Sequence, residues 1–348
     1  MRLKVGIVGC GMIALKRHFP EMAENPNVEI IACTDYQIAR AEEMARQYGC
    51  TAYPDYRALL EQAKPDAVVV CTTNVTHYEV TVAALRAGAH VLCEKPMAAS
   101  LAQAREMVQI AEQTKKKLMI AQNQRMSPAY QKSKEILASG KLGRVLTFST
   151  KFGHPGCEFW SIDGGHSWFF RKDEAIFGCL ADLGVHKVDL MRWLLNEEFE
   201  QVAAFSGTLD KKDDAGNIIA VDDNMVGVLR STSGILGTIA TSWTYYGPED
   251  NSTVLYCQRG ILSICADSKF AVKIDYPDGT QECYRVAGVG SNDKPIKTGI
   301  CDEFIQSILE DREPAISGKD GYNSLAVAVA LNQAAQTRSF ISVPHYED

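Results

Sequence analysis

The stretch Leu3-Lys4-Val5-Gly6-Ile7-Val8-Gly9-Cys10-Gly11-Met12-Ile13-Ala14 decides the fold. Its first half, Leu3–Val8, is an apolar run that reads as a buried strand. Gly9-x-Gly11-x-x-Ala14 follows, and a helix is predicted from there to about Glu24. A strand, a glycine turn and a helix in that order form a dinucleotide fingerprint. Gly9 makes the tight turn. Gly11 lets the backbone approach a pyrophosphate resting on the helix N-terminus, and Ala14 permits close helix–strand packing. Met12 and Ile13, in the first helical turn, are expected to touch the cofactor. The competing reading is an ordinary strand–helix turn.

The same alternation continues downstream. Strands are predicted at 28–34, 67–71, 89–93 and 118–121, with helices at 38–48, 75–87 and 101–114. This pattern belongs to a parallel, doubly wound α/β sheet. Asp35 ends the second strand about 20 residues past the glycines, where an acid accepts hydrogen bonds from the adenosine ribose. A carboxylate there repels a 2′-phosphate, so NAD is expected over NADP, with Arg40 one turn on as a softening influence. Asp35 can equally serve as a helix cap. Thr72, Thr73 and Asn74 follow the strand predicted at 67–71 and suit ribose and phosphates, although capping of the next helix explains Thr73 or Asn74 as well. His77 is expected at the cofactor, or as a packed histidine.

Val91-Leu92-Cys93-Glu94-Lys95-Pro96 closes the next strand. Proline lacks a backbone N–H and stops the ladder. Glu94 and Lys95 therefore emerge at the carboxyl edge of a parallel sheet, where open α/β sheets bind ligands. A surface ion pair is the plain alternative. Glu94 either contacts the cofactor or holds Lys95 in place.

The pattern changes near Pro128. After a helix and a long strand come a loop rich in glycine, histidine and aromatics (153–171), a helix at 180–195, and several strands in succession, closed by helices at 300–309 and 321–337. Successive strands without helices indicate a mainly antiparallel sheet. The domains are expected at 1–123 and 124–348, the second carrying substrate and oligomer contacts. Trp243, Tyr245 and Tyr246 suggest a partner surface or a packed loop anchor.

Asp182 and His186 stand at i, i+4 on the 180–195 helix, as a proton relay requires; a helix-surface ion pair has the same spacing. Lys187 and Asp189 are expected to be solvated. A zinc site from His154, His166 and His186 with Asp163, Asp182 or Glu158 has compact ligand spacing only between Asp182 and His186, and no metal is expected.

At 348 residues the chain suits two domains, and a net charge of -7 gives no basic face for nucleic acid. The apolar run from Val5 is cut by Gly9 and Gly11, so no signal peptide and no membrane span are expected. The 11 cysteines, an odd number, contain no C-x-x-C pair, and Cys10, Cys33, Cys71 and Cys93 sit in or beside apolar runs. They indicate a reducing, cytoplasmic setting.

Glu94-Lys95-Pro96, Asn123-Gln124-Arg125-Met126-Ser127-Pro128 and the run from Gly178 to Leu190 together resemble the glucose–fructose oxidoreductase/inositol dehydrogenase/rhizopine catabolism (Gfo/Idh/MocA) family. The resemblance implies a Rossmann domain joined to an open-sheet domain. It implies an NAD(P)-dependent dehydrogenase acting on a secondary hydroxyl of a sugar, glycoside or inositol. Lys95, Asp182 and His186 become the catalytic group, with Lys95 and His186 both candidates for acid/base. Asn123 joins the cofactor contacts. Arg125, His154, Trp168 and Arg171 join Lys95, Asp182 and His186 around the substrate. A homodimer or homotetramer through the second sheet is implied. Two alternatives remain open: an NAD-retaining glycosidase or epimerase working through a keto intermediate, and a non-catalytic dinucleotide sensor.

Overall fold

The computed structural model describes residues 2–290 and 297–347. The first sheet has six parallel strands: β1 (Leu3–Val8), β2 (Val28–Thr34), β3 (Thr51–Tyr53), β4 (Ala67–Val70), β5 (His90–Cys93) and β6 (Leu118–Ile120), in the order β3-β2-β1-β4-β5-β6. Its helices are α1 (Phe19–Glu24), α2 (Ile38–Tyr48), α3 (Tyr56–Ala58), α4 (His77–Arg86) and α5 (Leu101–Thr114). The doubly wound reading is correct. Sequence reasoning missed β3 and the short helical segment after it, because Thr51-Ala52-Tyr53 is too brief to show a period. Residues of β1, β4 and β5 are covered on both faces, and Val69, Val91 and Leu92 are fully buried. That explains their continuous apolar runs. Truncating such a leucine to alanine costs about 2–5 kcal/mol.

The second half begins with α6 (Pro128–Ala138) and β7 (Val145–Gly153). Short α7 (Lys172–Ala175) and α8 (Val185–Leu195) precede β8 (Phe199–Gly207), β9 (Asn224–Ser231), β10 (Leu236–Ser242), β11 (Thr253–Cys257), β12 (Gly260–Ile264), β13 (Val272–Asp275) and β14 (Gln281–Tyr284). α9 (Ile300–Leu309), α10 (Gly318–Thr337) and β15 (Ile341–Ser342) end the chain. The nine-stranded order is β14-β13-β12-β11-β7-β10-β9-β8-β15, antiparallel except for β7 against β10. β9 alternates strictly, with Met225, Leu229 and Ser231 buried and Val226 and Val228 exposed, as a sheet covered on one face requires.

The chain forms two compact units, and the boundary is not a single point. One unit holds residues 1–122, 160–163 and 297–322; the other holds 123–159, 164–296 and 323–348. The expected break at 123 is thus one of several crossings. The late return is visible in contacts within the first unit. Thr298 donates to Glu21, Asn25 donates to Asp302, and the backbone N–H of Ile120 bonds the carbonyl of Ile316. No helix among the described residues is long and apolar enough to cross a membrane.

Candidate active site

In the Rossmann unit, the turn after β1 is built for a close backbone approach. Gly9 has φ +97°, and a Cβ there would lie 2.4 Å from the Cys71 carbonyl oxygen. Only glycine fits. A Cβ on Gly11 would meet nothing within 4 Å, so its face is open. Asp35 is buried and accepts from the backbone N–H groups of Cys10 and Gln37, each at 2.8 Å. The carboxylate locks the glycine turn to the end of β2 and keeps lone pairs for a ribose. Arg40 is ion-paired with Asp163 and lies 5.7 Å from the Tyr36 ring.

His77 is 1% exposed, with Nδ1 2.8 Å from the Pro96 carbonyl oxygen and Nε2 3.1 Å from that of Thr72. Burial holds its proton affinity below the ordinary value, against the pull of the two carbonyls. The neutral ring has one N–H to donate to these two carbonyls, and it ties the 72–74 turn to the loop after β5. Thr72 and Thr73 sit half-buried in that turn, and Asn74 is buried.

β5 delivers Glu94-Lys95-Pro96, and the Lys95–Pro96 bond is cis. Glu94 is buried. One carboxylate oxygen stands 2.8 Å from His18 Nε2, and the other accepts from the Lys95 N–H at 3.1 Å. Burial alone would raise this carboxyl. His18, Arg17 and Lys95 outweigh it and hold the group down at about 2. Glu94 thus links His18 to the backbone of Lys95.

In the second unit, the helix carrying Asp182 opens as a π-helical turn, Leu180–Gly184, before α8. Such turns cluster at functional sites. Asp222 fixes its start. One oxygen accepts from Gly178 N–H at 2.7 Å and the other from Leu180 N–H at 2.9 Å. A Cβ at Gly178 would lie 1.8 Å from the Asp222 carbonyl oxygen, so glycine is required there too. Asp182 and His186 are both buried. Trp243 Nε1 donates to Asp182 Oδ2 at 3.1 Å, and His154 Nε2 stands 3.9 Å from the same oxygen. The Gly156 N–H donates to His154 Nδ1 at 3.0 Å, which places the neutral ring's proton on Nε2, facing the carboxylate. The Phe152 ring lies 6.0 Å from His154 and 6.3 Å from His186.

The 153–171 loop connects to this group through aromatics. Trp168 stacks on Phe169 at 3.9 Å, and the Phe169 and Phe170 rings meet Trp243 at 6.3 and 6.1 Å. Trp243 is fully buried, so the partner-surface reading of Trp243 is corrected: it holds Asp182. Nothing in its sequence neighbourhood marks that role, because Asp182 lies 61 residues away. Arg171 is exposed and donates to Glu174 and to the His166 carbonyl. His166 pairs with Asp214 at 2.8 Å and is exposed. No group of three or more metal-ligating side chains occurs among the described residues.

Three further expectations are overturned. Lys187 and Asp189 are fully buried rather than solvated. Arg125 grips Asp189 through two bonds of 2.6 Å, and Ser324 donates to the same carboxylate at 3.0 Å. Arg125 is therefore a scaffold cation, not a substrate contact. Asn123, in the same 3-10 turn, is buried.

The family profile described as an oxidoreductase family with an NAD-binding Rossmann fold matches residues 3–122, and its companion, the GFO/IDH/MocA C-terminal domain, matches residues 130–263. The chain belongs to this family. Among its Gfo/Idh/MocA relatives, D-glucoside 3-dehydrogenase of Escherichia coli K12 is 30% identical over 351 residues, covering 96% of each chain. Myo-inositol 2-dehydrogenase of Thermotoga maritima is 27% identical over 354 residues, covering 98% of each. A solved levoglucosan dehydrogenase superposes with a TM-score of 0.86 at 23% identity, over 99% of this chain and all of that one, and establishes the shared fold. Gly9, Gly11 and Lys95 lie within the first matched range, and Asp182 and His186 within the second.

Proposed function

We propose that this Gfo/Idh/MocA protein oxidises a secondary hydroxyl of a sugar, glycoside or inositol to the ketone, releasing one proton and reducing NAD to NADH. Asp182 carries the reading: a buried carboxylate held by Trp243, facing the His154 N–H, one helical turn from His186. Such a group grips hydroxyls and handles a proton. The relatives named for glucoside, inositol and levoglucosan oxidation support the substrate class, and the levoglucosan enzyme was solved with NADH.

The residues present fit NAD. The face of Gly11 is open, Gly9 presses on Cys71, and the first-turn N–H groups at Met12 and Ile13 are those an anion uses. NAD supplies the hydride acceptor. His186 takes the hydroxyl proton, and Lys95 stabilises the developing alkoxide. Asp182 and His154 orient neighbouring hydroxyls. Asp35 disfavours a 2′-phosphate, and Arg40, engaged by Asp163, offers it little compensation; NAD is preferred over NADP.

A homo-oligomer through the second sheet completes the reading. Leu146, Phe205, Val226, Val228, Leu236 and Tyr256 are apolar side chains exposed on its strands. A panel of free sugars, glycosides and inositols incubated with NAD tests the function. NADH should accumulate with at least one of them; turnover of substrate without NADH would favour an NAD-retaining glycosidase or epimerase.

A further inference from the structure

Lys187 follows His186 in the helix, yet its side chain is fully buried. Nζ donates to the Tyr130 hydroxyl at 2.9 Å and to the Asn251 carbonyl at 3.0 Å. It also lies 5.4 Å from the Tyr130 ring centre and 5.8 Å from that of Phe152. Behind Tyr130, its hydroxyl continues to Thr253 and then Thr150, at 3.1 and 2.8 Å. Asp250, Glu249 and the half-buried Cys265 thiol are the titratable groups that act on Lys187 through space. Asp189, two residues on, is neutralised by Arg125. The ammonium is thus held by dipoles and ring faces, with its acids at a distance.

One of those rings is shared. Phe152 also adjoins His154 and His186, so Lys187 Nζ lies within about 12 Å of the His186 ring. Asp182, held by Trp243, is the carboxylate that faces His154. We propose that Lys187 is a positioning residue for proton transfer: a buried cation that acts on His186 across Phe152, disfavours its protonated form, and so sets the lower pH limit of activity. This rests on His186 being the base. At an effective dielectric near 20, a unit charge about 12 Å away moves a titration by about one pH unit. Burial lowers the proton affinity of Lys187 itself, to about 7. Its charge is therefore present on the acid side of neutrality, where a histidine base gains its proton.

The test is the pH profile of kcat/KM for polyol oxidation, which reports ionisations of the free enzyme. Lys187→Met should move the acid limb up by about one pH unit, since the histidine then protonates more readily. Lys187→Arg, which keeps the charge, should leave the limb near the wild-type position. A folded Lys187→Met enzyme whose limb coincides with wild type overturns the proposal. A second measurement needs no variant of Lys187 and no turnover. With 13C-labelled histidine in the wild-type protein, the His186 resonance should show a second, smaller inflection as Lys187 loses its proton. A single inflection overturns the proposal. Failure of the base assignment is separate: it would appear as near-normal kcat in His186→Ala, whatever the Lys187 results.

Discussion

Glu94 and His18 stand 2.8 Å apart, carboxylate oxygen to ring nitrogen, and both side chains are buried. The other Glu94 oxygen bonds the backbone of Lys95. The acid of the Glu-Lys-Pro motif therefore ties the backbone of the lysine to the buried His18. Its carboxyl is held at about 2, below the ordinary 4.5, so its stabilising contribution is complete above about pH 4.5 and is lost as pH falls toward 2. That contribution is on the order of 3 kcal/mol. Unfolding of wild type and Glu94→Gln at pH 5 and at about pH 3 checks this. The wild type should lose more stability over that interval, and an equal loss in both proteins would refute the assignment.

Cofactor choice should respond at two positions. Asp35→Ser removes the carboxylate that repels a 2′-phosphate and should cut the preference for NAD over NADP by roughly tenfold or more. Asp163→Ala releases Arg40 and should lower the KM for NADP without changing that for NAD. Steady-state kinetics with both cofactors decide the matter; a wild type that prefers NADP would contradict the reading.

The Arg125–Asp189 pair has both side chains buried. Asp189→Asn leaves a buried guanidinium uncompensated and should cost about 3–5 kcal/mol in denaturant unfolding. Arg125→Met combined with Asp189→Leu should cost less than either single change, because no lone charge remains.

Oligomer contacts should fail on the exposed sheet face. Phe205→Glu and Val226→Lys place charges among its apolar side chains, and should shift the protein to monomer in sedimentation with its far-ultraviolet spectrum unchanged.

Much of this was legible in the sequence. Gly9, Gly11 and Asp35 act locally, so their spacing carries the fold of the first unit. Lys95 follows from proline ending a strand. What escaped detection depends on distant partners. Lys187 and Asp189 read as solvated because lysine and aspartate are seldom fully buried. Their partners, Tyr130 and Arg125, lie 57 and 64 residues away. Trp243 reads as any strand-end aromatic until Asp182 is found against it. The π-helical turn at Leu180–Gly184 follows from Asp222 and Gly178, a pairing no helical period contains.

The central claim is that His186 moves the hydroxyl proton while Lys95 steadies the alkoxide. It is tested most directly by kcat for the best substrate in His186→Ala, with NADH affinity measured alongside. The account predicts kcat lower by roughly 10²-fold or more with NADH affinity unchanged. A kcat within about threefold of wild type would contradict it, since a positioned acid–base group contributes far more than that.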